Sequence, residues 1–135
     1  MEYSNHSDRV TSRFKYMLEN NGKIEKSMTT KKFAQKLLLP QWKDFPNITI
    51  TGLPDDYVHY SQPRSLTVRE CARIQGFPDW YQFCGPRTTG GLRRAGNPLI
   101  GVDDRELPKY TQIGNSVSVL LAKKIGQHFI KILRA

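Results

Sequence analysis

The hydrophobic positions divide the chain into segments of different period. A first short helix is predicted over Arg9–Leu18, ended by Asn20-Asn21-Gly22, which suits a helix stop. A second helix is predicted from Thr29 or Thr30 through Phe33, Leu37 and Leu38, ending before Pro40. Lys31, Lys32 and Lys36 lie on its polar side, either as a solvated face or as a phosphate-binding stripe. The period then changes. Ile48-Thr49-Ile50-Thr51 alternates like a strand, and Leu53-Pro54-Asp55-Asp56 turns out of it.

The next helix carries the clearest local signal. Thr67 and Glu70 have the spacing of a capping box, and Leu66 and Cys71 fall at the two staple positions. That helix is predicted from Val68 to Gln75, with Gly76 as a left-handed stop and Pro78 beyond it. Cys71 sits on its apolar side and reads as a packed thiol, not a nucleophile. The last predicted helix spans Val117–Leu133, where Val117, Leu121, Ile125, Phe129 and Ile132 follow the 3.6-residue period. Asn115 or Ser116 is expected to cap it, which would gather backbone N–H groups at the Gly114-Asn115-Ser116 turn. Such a turn can hold an anion, or it can simply start a helix.

Between these helices, residues 80–102 hold no acidic side chain but carry Arg87, Arg93, Arg94 and five glycines. Glycine permits close backbone approach and arginine contacts phosphates or base edges, so the stretch reads as a ligand-facing loop or as an ordinary exposed one. Composition sharpens this only in part. Lys plus Arg total 21 against 12 Asp plus Glu in 135 residues, a net charge of +9 that favours polyanionic partners. The excess is distributed: nine basic and five acidic side chains lie in residues 1–45, twelve and seven in residues 46–135. Cys71, Cys84, His6, His59 and His128 match no zinc spacing, so no metal is expected. No apolar run approaches the ~20 residues of a bilayer span, and a cytoplasmic location is expected.

Two stretches taken together carry a resemblance. Arg64-Ser65-Leu66-Thr67-Val68-Arg69-Glu70-Cys71-Ala72-Arg73-Ile74-Gln75-Gly76-Phe77-Pro78-Asp79 is similar to the ninth motif of DNA cytosine-5 methyltransferases. Tyr110-Thr111-Gln112-Ile113-Gly114-Asn115-Ser116-Val117 is similar to their tenth and last motif. The resemblance implies an α/β fold, of which this chain is a C-terminal piece. Residues 1–45 would be helical and end a target-recognition region. Residues 46–135 would hold the ninth motif (64–79), the arginine- and glycine-rich loop (83–98), the tenth motif (110–118) and the helix (117–133) that returns to a Rossmann-like catalytic domain.

Roles follow from the resemblance in the same way. Leu66, Thr67, Glu70, Cys71, Arg73, Gln75 and Phe77 would be structural, supporting the region that reads DNA. Gly114, Asn115, Ser116 and Val117 would help wall the S-adenosylmethionine pocket. Arg87, Thr88, Thr89, Arg93 and Arg94 would face duplex DNA. Ser118 stands where the family often has proline, which is expected to loosen the turn slightly. The family's chemistry uses a cysteine in a Pro-Cys motif to attack C6 of a flipped cytosine, assisted by the glutamate of Glu-Asn-Val. Neither motif occurs in this sequence, and neither does a Phe-x-Gly-x-Gly cofactor loop. No catalytic residue is therefore assigned. Three readings stand: the small subunit of a split enzyme with a larger partner carrying the first eight motifs, an inactive truncated product, or a stand-alone DNA-binding module.

Overall fold

The structure is a computed structural model that describes residues 3–29, 35–42, 50, 56–88 and 107–134. It combines α-helices with one small parallel sheet, a mixed α and β architecture. The chain divides into two compact units, Met1–Ile48 with Leu53–Thr67, and Thr49–Gly52 with Val68–Ala135.

The first unit is organised by α1, Asp8–Glu19. Ser7 precedes it in extended backbone, and its carbonyl accepts from the N–H groups of Val10 and Thr11, both at 2.9 Å. Asp8 places a carboxylate in the first turn, where the helix dipole favours it. The helix ends as its sequence predicts. Asn21 and Gly22 take positive φ (50° and 82°), and the Gly22 N–H reaches back to the Met17 carbonyl at 2.7 Å. This is the long bond of a Schellman ending, and it satisfies a carbonyl the helix cannot. Phe14 and Met17 are buried with Val58, and Val10, Ile24 and Leu37 pack around them.

The second predicted helix is not found over its described part. Lys36–Leu37 forms β1, paired in parallel with β2, Tyr57–Val58. The Lys36 N–H donates to the Asp56 carbonyl (2.9 Å) and the Leu38 N–H to that of Val58 (3.0 Å). Parallel pairing beside a buried Val58 outweighs the local helical pattern of Leu37 and Leu38, since propensity is a weak prior against tertiary contacts. A 3-10 turn at Lys26–Met28 and another at Pro40–Trp42 flank this region. Lys31, Lys32 and the predicted start of that helix at Thr30 lie outside the described residues, as does the predicted strand apart from Ile50, which is buried. After β2 the chain doubles back: the His59 N–H donates to the Arg64 carbonyl at 2.8 Å, and Val58 bridges Ser65 in antiparallel fashion. The N-terminal segment is tied to this turn, with His6 Nε2 3.0 Å from Ser65 Oγ and the Arg64 guanidinium over the Tyr3 ring.

The second unit contains α2 (Val68–Ile74), α3 (Lys109–Asn115) and α4 (Val119–Leu133). α2 packs against α3. Cys71, Ala72, Tyr110 and Ile113 are buried. No helix among the described residues is long and apolar enough to cross a membrane.

Candidate functional site

The site is built where the two motif segments meet in the second unit. α2 begins directly after Thr67, with Glu70 in its first turn, at the positions a capping box requires. Its C-terminus is a complete Schellman motif. The Phe77 N–H donates to the Ala72 carbonyl (2.9 Å) and the Gly76 N–H to that of Arg73 (3.0 Å), with Gly76 at φ 86°. This ending turns the chain so that Gln75, only 3% exposed, faces the tenth-motif segment. Gln75 Nε2 donates to the carbonyls of Ile113 (3.3 Å) and Ser116 (3.2 Å), while its backbone carbonyl accepts from the Val119 N–H at 3.1 Å. One buried residue thus holds the end of α3 through its side chain and the start of α4 through its backbone. The buried amide has partners for its donors, which offsets its desolvation.

Beyond Gly76 the backbone is pinned from outside. Arg69 donates to the carbonyls of Pro78 (3.4 Å) and Tyr81 (2.8 Å). Arg73 makes a two-pronged ion pair with Asp79, both bonds at 2.8 Å. That pairing holds the Asp79 carboxyl below the usual carboxylate range and raises the Arg73 guanidinium. The pair therefore contributes at neutral pH, and its contribution fades as pH falls through the lowered Asp79 value. It is solvent-exposed, so the contribution is small. Phe77, Tyr81 and Phe83 cluster with ring centroids about 5 Å apart, and Trp80 stands 79% exposed beside them.

The arginine- and glycine-rich stretch is closed at its root. Gln112 Nε2 donates to the carbonyls of Cys84 and Leu107, both at 2.8 Å, and the Lys109 N–H donates to the Pro86 carbonyl at 3.0 Å. Gln112 was not singled out in the sequence; a side-chain amide inside the tenth motif is the only signal it offers. Arg87 is half-buried and Thr88 exposed, while Thr89, Arg93 and Arg94 lie outside the described residues. Cys71 is buried, Cys84 is exposed, and neither forms a disulfide.

The tenth-motif turn differs from its prediction. Asn115 and Ser116 do not start the last helix. Asn115 is the final residue of α3, and Ser116 caps that helix at its C-terminus. The Ser116 N–H and hydroxyl both return to the Ile113 carbonyl, at 3.2 and 2.6 Å. Buried Tyr110 and Ile113, three apart, provide the apolar stripe that makes 109–115 helical, and Gly114 and Asn115 hide it in the sequence because both are poor helix formers. The last helix starts at Val119, with Ser118 as its N-terminal flank, so backbone N–H groups do not converge on Gly-Asn-Ser. Asn115 and Val117 are exposed, Gly114 is half-buried, and the Ser116 hydroxyl is committed to Ile113.

Ser118 itself has φ −53° and its carbonyl accepts the Ala122 N–H at 3.0 Å. That φ is within proline's range. Ser118→Pro is expected to stabilise the chain by about 0.4–1 kcal/mol through the unfolded state. A lowered urea midpoint would show instead that proline's ring or its missing N–H harms this junction.

The fold and the site define a chain segment in which two separated motifs are joined by a buried amide. It belongs to the C-5 cytosine-specific DNA methylase family, whose model matches residues 2–131. Type II methyltransferase M.Bpa9945I of Bacillus paralicheniformis is 36% identical over 103 residues, covering 72% of this chain and 19% of that protein. Type II methyltransferase M.DdeI of Desulfomicrobium norvegicum is 30% identical over 136 residues, covering 90% of this chain and 30% of that protein. DNA (cytosine-5)-methyltransferase CMT2 of Arabidopsis thaliana is 39% identical over 89 residues, covering 63% of this chain and 5% of that protein. The chain thus spans less than a third of the length of each of these relatives. No solved structure matches the chain.

Proposed function

We propose that the chain is the C-terminal part of a DNA cytosine-5 methyltransferase of a restriction-modification system, working as the small subunit of a split enzyme. A larger polypeptide would supply the nucleophile and most of the cofactor site. The observation that carries this reading is the state of α4. The helix leaves the tenth-motif junction with Leu121, Ile125, Phe129 and Ile132 all exposed, an apolar face of the kind that packs on a sheet. In the assembled enzyme α4 would return to the Rossmann-like domain and bury that face.

Bound S-adenosylmethionine would supply the methyl group. The residues of the tenth-motif turn fit one wall of its pocket. Asn115 offers an exposed amide and Val117 an exposed apolar side chain, while Ser116 keeps the turn in shape through Ile113. Arg87 and Thr88 would face duplex DNA from a loop whose ends Gln112 holds together, with Thr89, Arg93 and Arg94 further along it.

Co-expression with a methyltransferase polypeptide that ends before the ninth motif tests the association. The expected result is a one-to-one complex that survives gel filtration. A chain that stays separate and remains a folded monomer would sink the split-enzyme reading and favour an independent DNA-binding module.

A further inference from the structure

A cleft of about 200 Å³ lies in the first unit, lined by Arg9, Ser12, Arg13, Ser27 and Met28. Arg9 and Arg13 are four residues apart on α1 and so share a face of the helix, with Ser12 beside them. Like charges at this spacing repel, and an anion held between them turns the repulsion into attraction. Among the described residues Arg9 makes no ion pair or hydrogen bond, and it is exposed. The carboxylate nearest in sequence to the cleft's second wall is Glu25. It accepts from the Tyr16 hydroxyl (3.0 Å) and the Ser27 hydroxyl (3.1 Å). Ser27 therefore spends its proton on Glu25, and Ser12 is the hydroxyl left to donate into the cleft.

We infer that this cleft binds a phosphodiester of the DNA backbone, with the guanidinium groups of Arg9 and Arg13 and the Ser12 hydroxyl as donors to the non-bridging oxygens. Met28 and the arginine stems give the cleft an apolar floor that suits a deoxyribose. The donors carry no pattern matched to a base edge, so the contact positions the duplex without reading sequence. The inference rests on DNA as the partner, and it places a contact on α1, outside both motif segments and the arginine- and glycine-rich loop.

The test uses the full chain and a fluorescein-labelled duplex of arbitrary sequence, with anisotropy measured across a salt series. Arg9→Ala/Arg13→Ala is expected to weaken binding about tenfold or more at low salt. It should also flatten the dependence of log K on log salt by about 1–2 units. Lys123→Ala/Lys124→Ala removes the same charge from α4 and should change both quantities by less than half as much. Arg9→Ala alone, at an exposed helical position, should show a smaller effect of the same sign, with circular dichroism confirming that α1 is intact. Equal losses in the two double variants would overturn the inference, because the effect would then be diffuse charge. Wild-type binding matched by Arg9→Ala/Arg13→Ala would overturn it while leaving DNA as the partner. Failure of the wild-type chain to bind any duplex at low salt would overturn both. Inorganic phosphate at constant ionic strength separates the sources. If it binds the wild type and not the double variant while duplex affinity is the same in both, the cleft takes free phosphate and the DNA assignment falls.

Discussion

Gly76→Ala is expected to destabilise the second unit by about 1–3 kcal/mol, the cost of forcing a non-glycine residue into backbone it avoids. Two independent facts set this size. Gly76 sits at φ 86°, where an L side chain crowds the carbonyl that follows. A Cβ built there would also lie 3.2 Å from Leu120 Cγ and 3.4 Å from the Leu120 backbone nitrogen. The Leu120 side chain would have to give by a few tenths of an ångström, while its backbone nitrogen is at ordinary contact distance. Relieving the strained φ means opening the Schellman ending, and with it the approach of Gln75 to Ile113, Ser116 and Val119. Gly126→Ala is the matched control. It lies inside α4 with nothing within 4 Å of its built Cβ, so alanine there should stabilise by about 0.8–1 kcal/mol. Urea unfolding of the two variants should therefore move in opposite directions. A Gly76→Ala chain as stable as the wild type would remove the turn from its place at the centre of the site.

The second large effect concerns α4. Leu120, Leu121, Ile125, Phe129, Ile130, Ile132 and Leu133 are all exposed, on a helix with no buried residue. Burying one such side chain is worth roughly 1.5–3 kcal/mol, so the seam of Leu121, Ile125 and Phe129 can drive strong association. The isolated chain is expected to self-associate at micromolar concentration. Ile125→Glu/Phe129→Glu should convert it to a monomer, because carboxylates resist burial without a partner. The same pair of substitutions should abolish the complex with the larger polypeptide. Sedimentation velocity reads both outcomes. A wild-type chain that sediments as a single monomer would mean the face is covered in some other way.

What the sequence made legible follows the physics of local signals. α1 and α2 were readable because each has an apolar stripe of helical period and a glycine-containing stop, and these signals act within one or two turns. The exposed face of α4 was readable for the same reason. β1 was not. Two strand residues are too few to show alternation, and Leu37-Leu38-Leu39 fits a helix as well as an extended segment. Its partner decides the matter: Tyr57 and Val58, an aromatic and a β-branched residue, were the available signal. The tenth-motif turn was misplaced because Asn115 and Ser116 are good N-caps by type. In the structure Ser116 turns its hydroxyl backward to Ile113 instead of forward. Ser and Asn serve at either end of a helix, and only burial of Tyr110 and Ile113 settles which. Gln75 and Gln112 illustrate the remaining gap. Each amide bridges segments far apart in the chain, 41 and 28 residues for their longest contacts to Ser116 and Cys84, and no local pattern encodes such a bond.

As proposed, this chain brings the ninth- and tenth-motif end of a cytosine-5 methyltransferase without its nucleophile. Transfer of tritiated methyl groups from S-adenosylmethionine to duplex DNA tests it most directly, with the purified chain alone and together with a methyltransferase polypeptide that carries the Pro-Cys motif and ends before the ninth motif. The expected result is no incorporation by the chain alone and incorporation at C5 of cytosine by the mixture. Incorporation by the chain alone, lost on Cys84→Ser, would contradict it and make the exposed Cys84 the nucleophile.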